Sequence, residues 1–143
     1  MSHVASYRTE IKIPQVAGMN LEDNEAWRLL RSALEAVAAA HGGQVVEVIT
    51  DSEGRRVRCD AAIVVPEFRR GLGVKVDQNT GQVKFLYDTW GGFAHTAKEL
   101  SAEVVQNFTA LAVTRALQEM NYEVDLDEVK VDDRREVWIR AEL

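Results

Sequence analysis

The sequence is poor in cysteine, proline and histidine, and each shortage excludes a class of protein. A single cysteine, Cys59, excludes an internal disulfide framework and a zinc or iron–sulfur site built on paired cysteines. The three histidines share no i, i+4 spacing, so no helical metal motif is present. With only two prolines and nine glycines in 143 residues, collagen-like and low-complexity sequences are also excluded. We therefore expect no cofactor and no metal.

Long hydrophobic runs are absent as well. The longest are Ala36–Ala40 and Ala61–Val65, far below the roughly 18 residues that a membrane span requires. The first residues lack the basic and then apolar pattern of a signal peptide. Together with the one unpaired thiol, these features predict a cytoplasmic protein that does not associate with membranes.

The charges that are present favour a protein partner over nucleic acid. The chain has 17 basic and 23 acidic residues, a net charge of -6, and a pI near 5.1. Nucleic-acid binding normally needs a basic footprint, which this balance does not supply. The excess of acid falls in the second half, where residues 72–143 carry 8 basic and 13 acidic side chains.

The hydrophobic pattern predicts a single α+β domain that spans residues 1–143. Alternating apolar residues predict strands, and apolar residues at helical spacing predict two long, alanine-rich helices. We expect an antiparallel sheet of about seven strands with both helices on one face. The predicted strands are 7–13, 46–50, 57–65, 72–76, 83–87, 122–126 and 137–141. The first predicted helix starts at the cap residues 20–23 and ends at 41, and the second runs from 96 to about 121.

The order of these elements is compatible with an internal duplication. Written out, it is β-α-β-β followed by β-β-α-β-β, and each half has a long helix followed directly by an antiparallel hairpin. The two matching segments are Gln44–Val65 and Tyr122–Leu143. Residue identity between the halves is low, and many α+β domains share this order without any duplication.

One segment has the residue types of a small-molecule or catalytic site. Two adjacent glycines, Gly91 and Gly92, would let the backbone approach a ligand closely. Asp88 could accept a proton, His95 could titrate near neutral pH, and Trp90 could line the pocket. The alternative is a surface loop, because no nucleophile or base partner for the histidine is identifiable.

Other residues are typical of a binding surface. Arg69 and Arg70 concentrate positive charge in the predicted loop 67–71, and arginine is favoured at interfaces. Trp138 falls on the outer face of its predicted strand, and exposed tryptophan is favoured at binding sites. Cys59 alternates with core residues, so we expect a buried thiol with a raised pKa rather than a nucleophile.

Several short motifs resemble one protein family. They are Met1-Ser2-His3, the segment Gly73–Val76, the sequence Asp88-Thr89-Trp90-Gly91 before a long helix, and Asn121-Tyr122-Glu123-Val124 after it. Together they resemble the uncharacterised family that includes hypothetical chloroplast open reading frame thirty-five of plastids and cyanobacteria. The resemblance implies a cytosolic or stromal protein with an accessory role, because members of that family are often encoded near AAA+ ATPases. It supplies no catalytic or binding residues.

Three functional hypotheses follow from these observations. The first is a non-enzymatic binding or adaptor subunit of a protein complex, with an AAA+ ATPase as one candidate partner. The second is a small ligand-binding protein or enzyme centred on Asp88, Trp90 and His95. The third is a structural subunit of a homo-oligomer that pairs through a free sheet edge.

Overall fold

The chain forms an α+β structure whose elements follow one another in the order that the sequence predicts. In the computed structural model the described residues are 4–120, 123–131 and 134–142, with the side chains of 4–120 and 137–142. The strands and helices are β1 Ala5–Lys12, α1 Glu25–Ala40, β2 Gln44–Thr50, β3 Arg56–Val65, β4 Phe68–Val76, β5 Gln82–Tyr87, α2 Ala94–Glu119, β6 Glu123–Val131 and β7 Arg134–Glu142.

Five of the strands form one antiparallel sheet, in the spatial order β1-β5-β4-β3-β2. The remaining two, β6 and β7, form a separate two-stranded sheet. The expectation of a single sheet of about seven strands is therefore wrong. Alternation along a strand shows that the strand exists, but it does not show which neighbour the strand pairs with. Here β6 and β7 pair with each other and pack against α2 rather than joining an edge of the main sheet.

This separation bears on the proposed duplication. The β2–β3 hairpin, which follows α1, is built into the five-stranded sheet, whereas the β6–β7 hairpin, which follows α2, stands outside it. The internal duplication is not confirmed by this arrangement.

Helix α1 ends where the sequence predicts but begins later than the expected cap segment 20–23, which forms a separate 3-10 turn at Leu21–Asp23. The side chain of Asn24 caps the helix by accepting a hydrogen bond from the Trp27 N–H at 3.1 Å. The same side chain donates to the Pro14 carbonyl oxygen at 2.8 Å, which ties the helix start to the chain leaving β1. At the other end His41 is the C-cap and Gly42 adopts a φ of +71°, the left-handed conformation that commonly ends a helix.

The main core lies between the two helices and one face of the sheet. Helix α1 buries its apolar residues there, and α2 adds Ala97, Leu100 and Val104 to the same cluster. Burial of this apolar surface is the main favourable contribution to folding, on the order of 25 cal/mol per Å². The α1 residues in this core are Trp27, Leu30, Leu34, Val37 and Ala38, and the strand residues include Ala61, Ile63, Val65, Leu72, Val74, Val76, Val83 and Phe85.

A second, smaller apolar cluster contains the only cysteine. Cys59 is buried, as the sequence predicts, and desolvation raises the pKa of its thiol. Cys59 packs with Ile49 and Ala62. It is not in the main core between the sheet and the helices, to which Ala61 belongs. The difference arises because the register between β2 and β3 shifts between Val46 and Val48, so simple alternation does not continue through this part of β3.

Strand β4 begins earlier than expected, and this changes the setting of the two arginines. Phe68 is fully buried and pairs with Val65 across a tight turn, so the predicted loop 67–71 is largely strand. Arg69 and Arg70 therefore lie within strand β4, where the register with β3 shifts and Gly71 has a φ of +97°. Arg69 is exposed, whereas Arg70 is half-buried.

Neither helix of the described residues combines the length and apolar character needed to cross a lipid bilayer.

Candidate functional site

The segment after β5 is organised around Asp88, whose carboxylate is buried. Its Oδ1 accepts a hydrogen bond from the Trp90 N–H at 2.9 Å, and its Oδ2 accepts one from the Ser52 N–H at 3.0 Å. Desolvation alone would raise the pKa of Asp88, but these two N–H donors and the nearby Arg70 charge outweigh it and hold the pKa below its usual value. The carboxylate is therefore ionised at neutral pH and already hydrogen-bonded by the protein.

Arg70 fixes the same segment from β4. Its Nη1 donates to the Trp90 carbonyl oxygen at 2.5 Å and lies 3.8 Å from Asp88 Oδ1. Its guanidinium carbon is 4.8 Å from the centroid of the Phe93 ring, within cation–π distance. Arg70 thus connects the middle of the sheet to the loop that leads into α2.

The turn between β2 and β3 carries a second buried carboxylate beside the first. Asp51 accepts hydrogen bonds from the N–H groups of Glu53 and Arg55, both at 2.9 Å, and from Arg55 Nε at 2.7 Å. Burial by itself would raise the pKa of Asp51. The hydrogen bonds from Arg55 and Glu53 outweigh burial, so the pKa lies below its usual value. Because Ser52 donates to Asp88, this turn and the loop after β5 form one hydrogen-bonded unit.

The outcome of these contacts is a rigid platform that exposes a tryptophan. The backbone of Trp90 is held at its N–H by Asp88 and at its C=O by Arg70, yet 56% of the residue surface is exposed. The next two residues, Gly91 and Gly92, have φ values of +87° and +89°, which residues with a Cβ rarely adopt. The two glycines therefore turn the chain immediately after Trp90. A Cβ at Gly91 would lie 3.5 Å from Arg70 Nη2, and one at Gly92 would have no atom within 4 Å.

His95 is not part of this unit. It is the second residue of α2, its side chain is 84% exposed, and its Nε2 lies 3.1 Å from Glu99 Oε1 one turn further along the helix. In the described residues no hydrogen bond or ion pair joins it to Asp88. The arrangement expected for a proton-transfer site, with Asp88 and His95 facing each other, is thus not what the geometry provides.

The remaining candidates lie apart from one another. Arg69 is exposed and its side chain does not join the Arg70 contacts. Trp138 is on β7, outside the main sheet, and is 55% exposed. Of the residues expected to form a site, the structure brings together Asp88, Trp90, Gly91, Gly92 and Arg70.

Asp51 and Ser52 belong to this platform although no sequence pattern connects them with Asp88. The Asp-Ser-Glu-Gly pattern at residues 51–54 correctly indicates a turn, and an aspartate at its first position commonly caps its own backbone. Nothing local indicates that this turn meets the loop 36 residues further along. That contact depends on the pairing of β3, β4 and β5.

A second charged cluster links three elements elsewhere in the fold. His41 Nδ1 lies 2.8 Å from Glu67 Oε2, and His41 Nε2 lies 2.5 Å from Glu103 Oε2. The three residues come from the end of α1, the β3–β4 turn and α2. Both ring nitrogens of His41 thus face a carboxylate oxygen, and one side chain links the three elements.

The site is a hydrogen-bonded loop and turn at one end of the main sheet, in which Asp88, Asp51 and Arg70 have partners within the protein and the Trp90 side chain is exposed. Among the described residues no three His, Cys, Asp or Glu side chains converge in a way that could hold a metal ion. No family model, no characterised protein and no solved structure matches this chain.

Proposed function

We propose that the protein is a non-enzymatic binding subunit of a protein complex and that Trp90 is its principal contact residue. The observation that carries the proposal is the contrast between the fixed backbone of Trp90 and its exposed indole ring. Tryptophan is among the residues that contribute most to protein interfaces. A rigid support reduces the entropy lost on binding, so an exposed and immobilised tryptophan is well suited to anchor a partner.

The charged groups around Trp90 favour binding over catalysis. A general base near neutral pH needs a pKa close to 7 and access to the substrate. Asp88 has a lowered pKa, and its oxygens are occupied by the N–H groups of Trp90 and Ser52. The ligand-site hypothesis is correspondingly weaker, because it needs this carboxylate and His95 in a common pocket.

The same proposal names the class of partner to test first. The sequence resemblance described above points to an accessory role beside an AAA+ ATPase, and we take such an ATPase as the first partner to test. The acidic balance of the chain, with a net charge of -6, makes nucleic acid an unfavourable partner.

The proposal is tested by replacing Trp90 in the full chain. The wild type, Trp90→Ala and a control, Met19→Ala, are each tagged and purified at low salt from the native host. Met19 is also exposed, at 39%, but lies in the segment before α1. We expect one stoichiometric partner with the wild type and with Met19→Ala, and its loss or strong reduction with Trp90→Ala.

Two results would contradict the proposal. One is a partner that co-purifies equally well with Trp90→Ala. The other is the absence of any stoichiometric partner from all three proteins while each remains folded. Because Arg70 holds the loop itself, reversing its charge would disturb the platform, so Arg69→Glu is the cleaner test of a charged contact.

A further inference from the structure

A row of three basic residues crosses the face of the sheet that carries no helix. Arg8 on β1 is directly opposite Lys84 on β5, and Lys84 is directly opposite Lys75 on β4. The residues that alternate with them, such as Phe85 and Val74, belong to the core on the helix side. Side chains in a strand alternate between faces, so the three cations lie together on the opposite face.

Repulsion among these three cations disfavours the folded sheet. Like charges directly opposite one another on adjacent strands destabilise a sheet. Within the described residues no carboxylate lies within 4 Å of Arg8, Lys75 or Lys84, whereas Arg31, Arg55, Arg58, Arg70 and Arg115 all have one.

Acidic side chains do adjoin the row. Glu10 is two residues from Arg8 on β1, Asp77 is two residues from Lys75, and the β3–β4 register puts Asp60 opposite Lys75. Two of these three carboxylates already accept backbone hydrogen bonds. Asp60 Oδ2 accepts a hydrogen bond from the Val76 N–H at 2.7 Å. Asp77 Oδ1 accepts from the N–H groups of Asn79 and Thr80 at 2.8 and 2.9 Å. Three adjacent cations nevertheless lie side by side on a protein whose net charge is -6.

We propose that this basic row binds an acidic helix of a partner protein. Adjacent strands are about 4.8 Å apart, so the second and third cations lie about 4.8 and 9.6 Å from the first. A helix rises about 1.5 Å per residue, which places carboxylates at positions i, i+3 and i+7 at about 0, 4.5 and 10.5 Å along one face. An extended chain matches less well, because its residues on one face repeat every 6.6 Å or so.

Two observations favour a polypeptide over nucleic acid. Among the exposed aromatic residues of the described chain, Tyr7 pairs with Phe85 and stacks on Tyr87, on the helix side of the sheet. Trp90 and Trp138 lie outside the three strands that carry the row, so bases would have no aromatic partner within it. The overall negative charge also repels a long polyanion more than it repels a short acidic segment. The surface is separate from the Trp90 platform and is independent of the function proposed for it.

The test uses a synthetic helical peptide with glutamates at positions i, i+3 and i+7. A second peptide of the same composition has its glutamates distributed around the helix. Binding of each to the full chain is measured by fluorescence anisotropy at low salt. We expect the first peptide to bind more tightly and its binding to weaken as salt is raised.

Charge reversal at the centre of the row provides the decisive variant. Lys84→Glu should weaken binding of the first peptide by about tenfold or more, because it removes one attraction and adds a repulsion. The same change should leave the folded state equally stable or more stable, because it creates alternating charges across β1, β5 and β4. The matched control is Lys98→Glu, the same charge change at an exposed position of α2, and it should leave binding unchanged.

Four results would overturn the proposal: equal binding of the two peptides, undiminished binding to Lys84→Glu, an equal loss with Lys98→Glu, or equally tight binding of a single-stranded oligonucleotide. The last would indicate general attraction of polyanions. Trp90→Ala should bind the peptide normally, so failure of this proposal and failure of the proposed function are distinguishable.

Discussion

The carboxylate of Asp88 accepts a hydrogen bond from the N–H of Ser52 at 3.0 Å and thereby joins the loop after β5 to the turn between β2 and β3. The other oxygen of the same carboxylate holds the Trp90 N–H. One side chain thus fixes the position of an exposed tryptophan relative to the sheet.

Replacing this side chain should therefore release the loop. Asp88→Asn loses one of the two acceptor oxygens and the negative charge, and leaves a buried N–H of Ser52 or Trp90 without its partner. We expect a loss of about 1–3 kcal/mol in the free energy of unfolding, measured by urea denaturation. Hydrogen exchange should also accelerate at the amides of Ser52 and Trp90. Unchanged exchange at both amides would show that Asp88 does not hold the loop.

The lowered pKa of Asp88 predicts how stability depends on pH. A carboxyl group whose pKa is lower in the folded protein than its ordinary value of 3.8 stabilises the fold above that value. The stabilisation is lost as the pH falls through 3.8 and the lower folded value. Unfolding free energies of the wild type and Asp88→Asn should therefore differ most at neutral pH and converge in acid. A difference that stays constant from neutral to acid pH would contradict this assignment.

The sequence predicted the strands and helices of this fold far better than it predicted which strands pair with one another. Helical periodicity and the stop signal at His41 and Gly42 located the body and the end of α1, because these signals depend on residues that are neighbours along the chain. The cap is Asn24 and not a residue of the predicted segment 20–23. Separation of β6 and β7 from the sheet could not be predicted, because pairing depends on where α2 carries the chain.

The same distinction applies to the candidate site. Asp88, Trp90 and the two glycines were recognisable because they break the strand pattern within a few residues. The role of Arg70 was not, since an expected loop is in fact strand β4, and only the β4–β5 pairing brings its side chain to Trp90. His95 appeared equally close to the site in sequence, but its position on α2 directs it to solvent.

The bridge formed by His41 should contribute to stability, and His95 offers a matched control. His41 contacts Glu67 and Glu103 on two other elements, whereas His95 contacts only Glu99 within its own helix. We expect His41→Ala to cost about 1 kcal/mol or less of unfolding free energy, because it removes an ion-pair contact at which Glu67 is half exposed and can be hydrated instead. His95→Ala should leave the urea midpoint essentially unchanged. Equal effects of the two substitutions would show that the bridge between elements adds nothing.

The two glycines after Trp90 should be needed for the platform. Gly91→Ala and Gly92→Ala each force a side chain into a left-handed conformation, at a cost of about 1–2 kcal/mol. Gly18→Ala, at a φ of +72° in the segment before α1, is the control because it carries the same backbone cost away from Trp90. All three should be destabilised, but only the first two should weaken capture of the partner. Equal capture by all three would show that the turn does not position Trp90.

Close packing between Gly73 and Cys59 permits a test of the second apolar cluster. A Cβ added at Gly73 would overlap the Cys59 sulfur and would lie 3.3 Å from the Leu86 carbonyl oxygen. Gly73→Ala should therefore destabilise the protein by about 1–3 kcal/mol through overpacking. Cys59→Ala removes the sulfur, so the double variant should be more stable than the sum of the two single effects predicts. Unfolding free energies of all four proteins measure this coupling, and strictly additive effects would mean that the sulfur is not what opposes a side chain at Gly73.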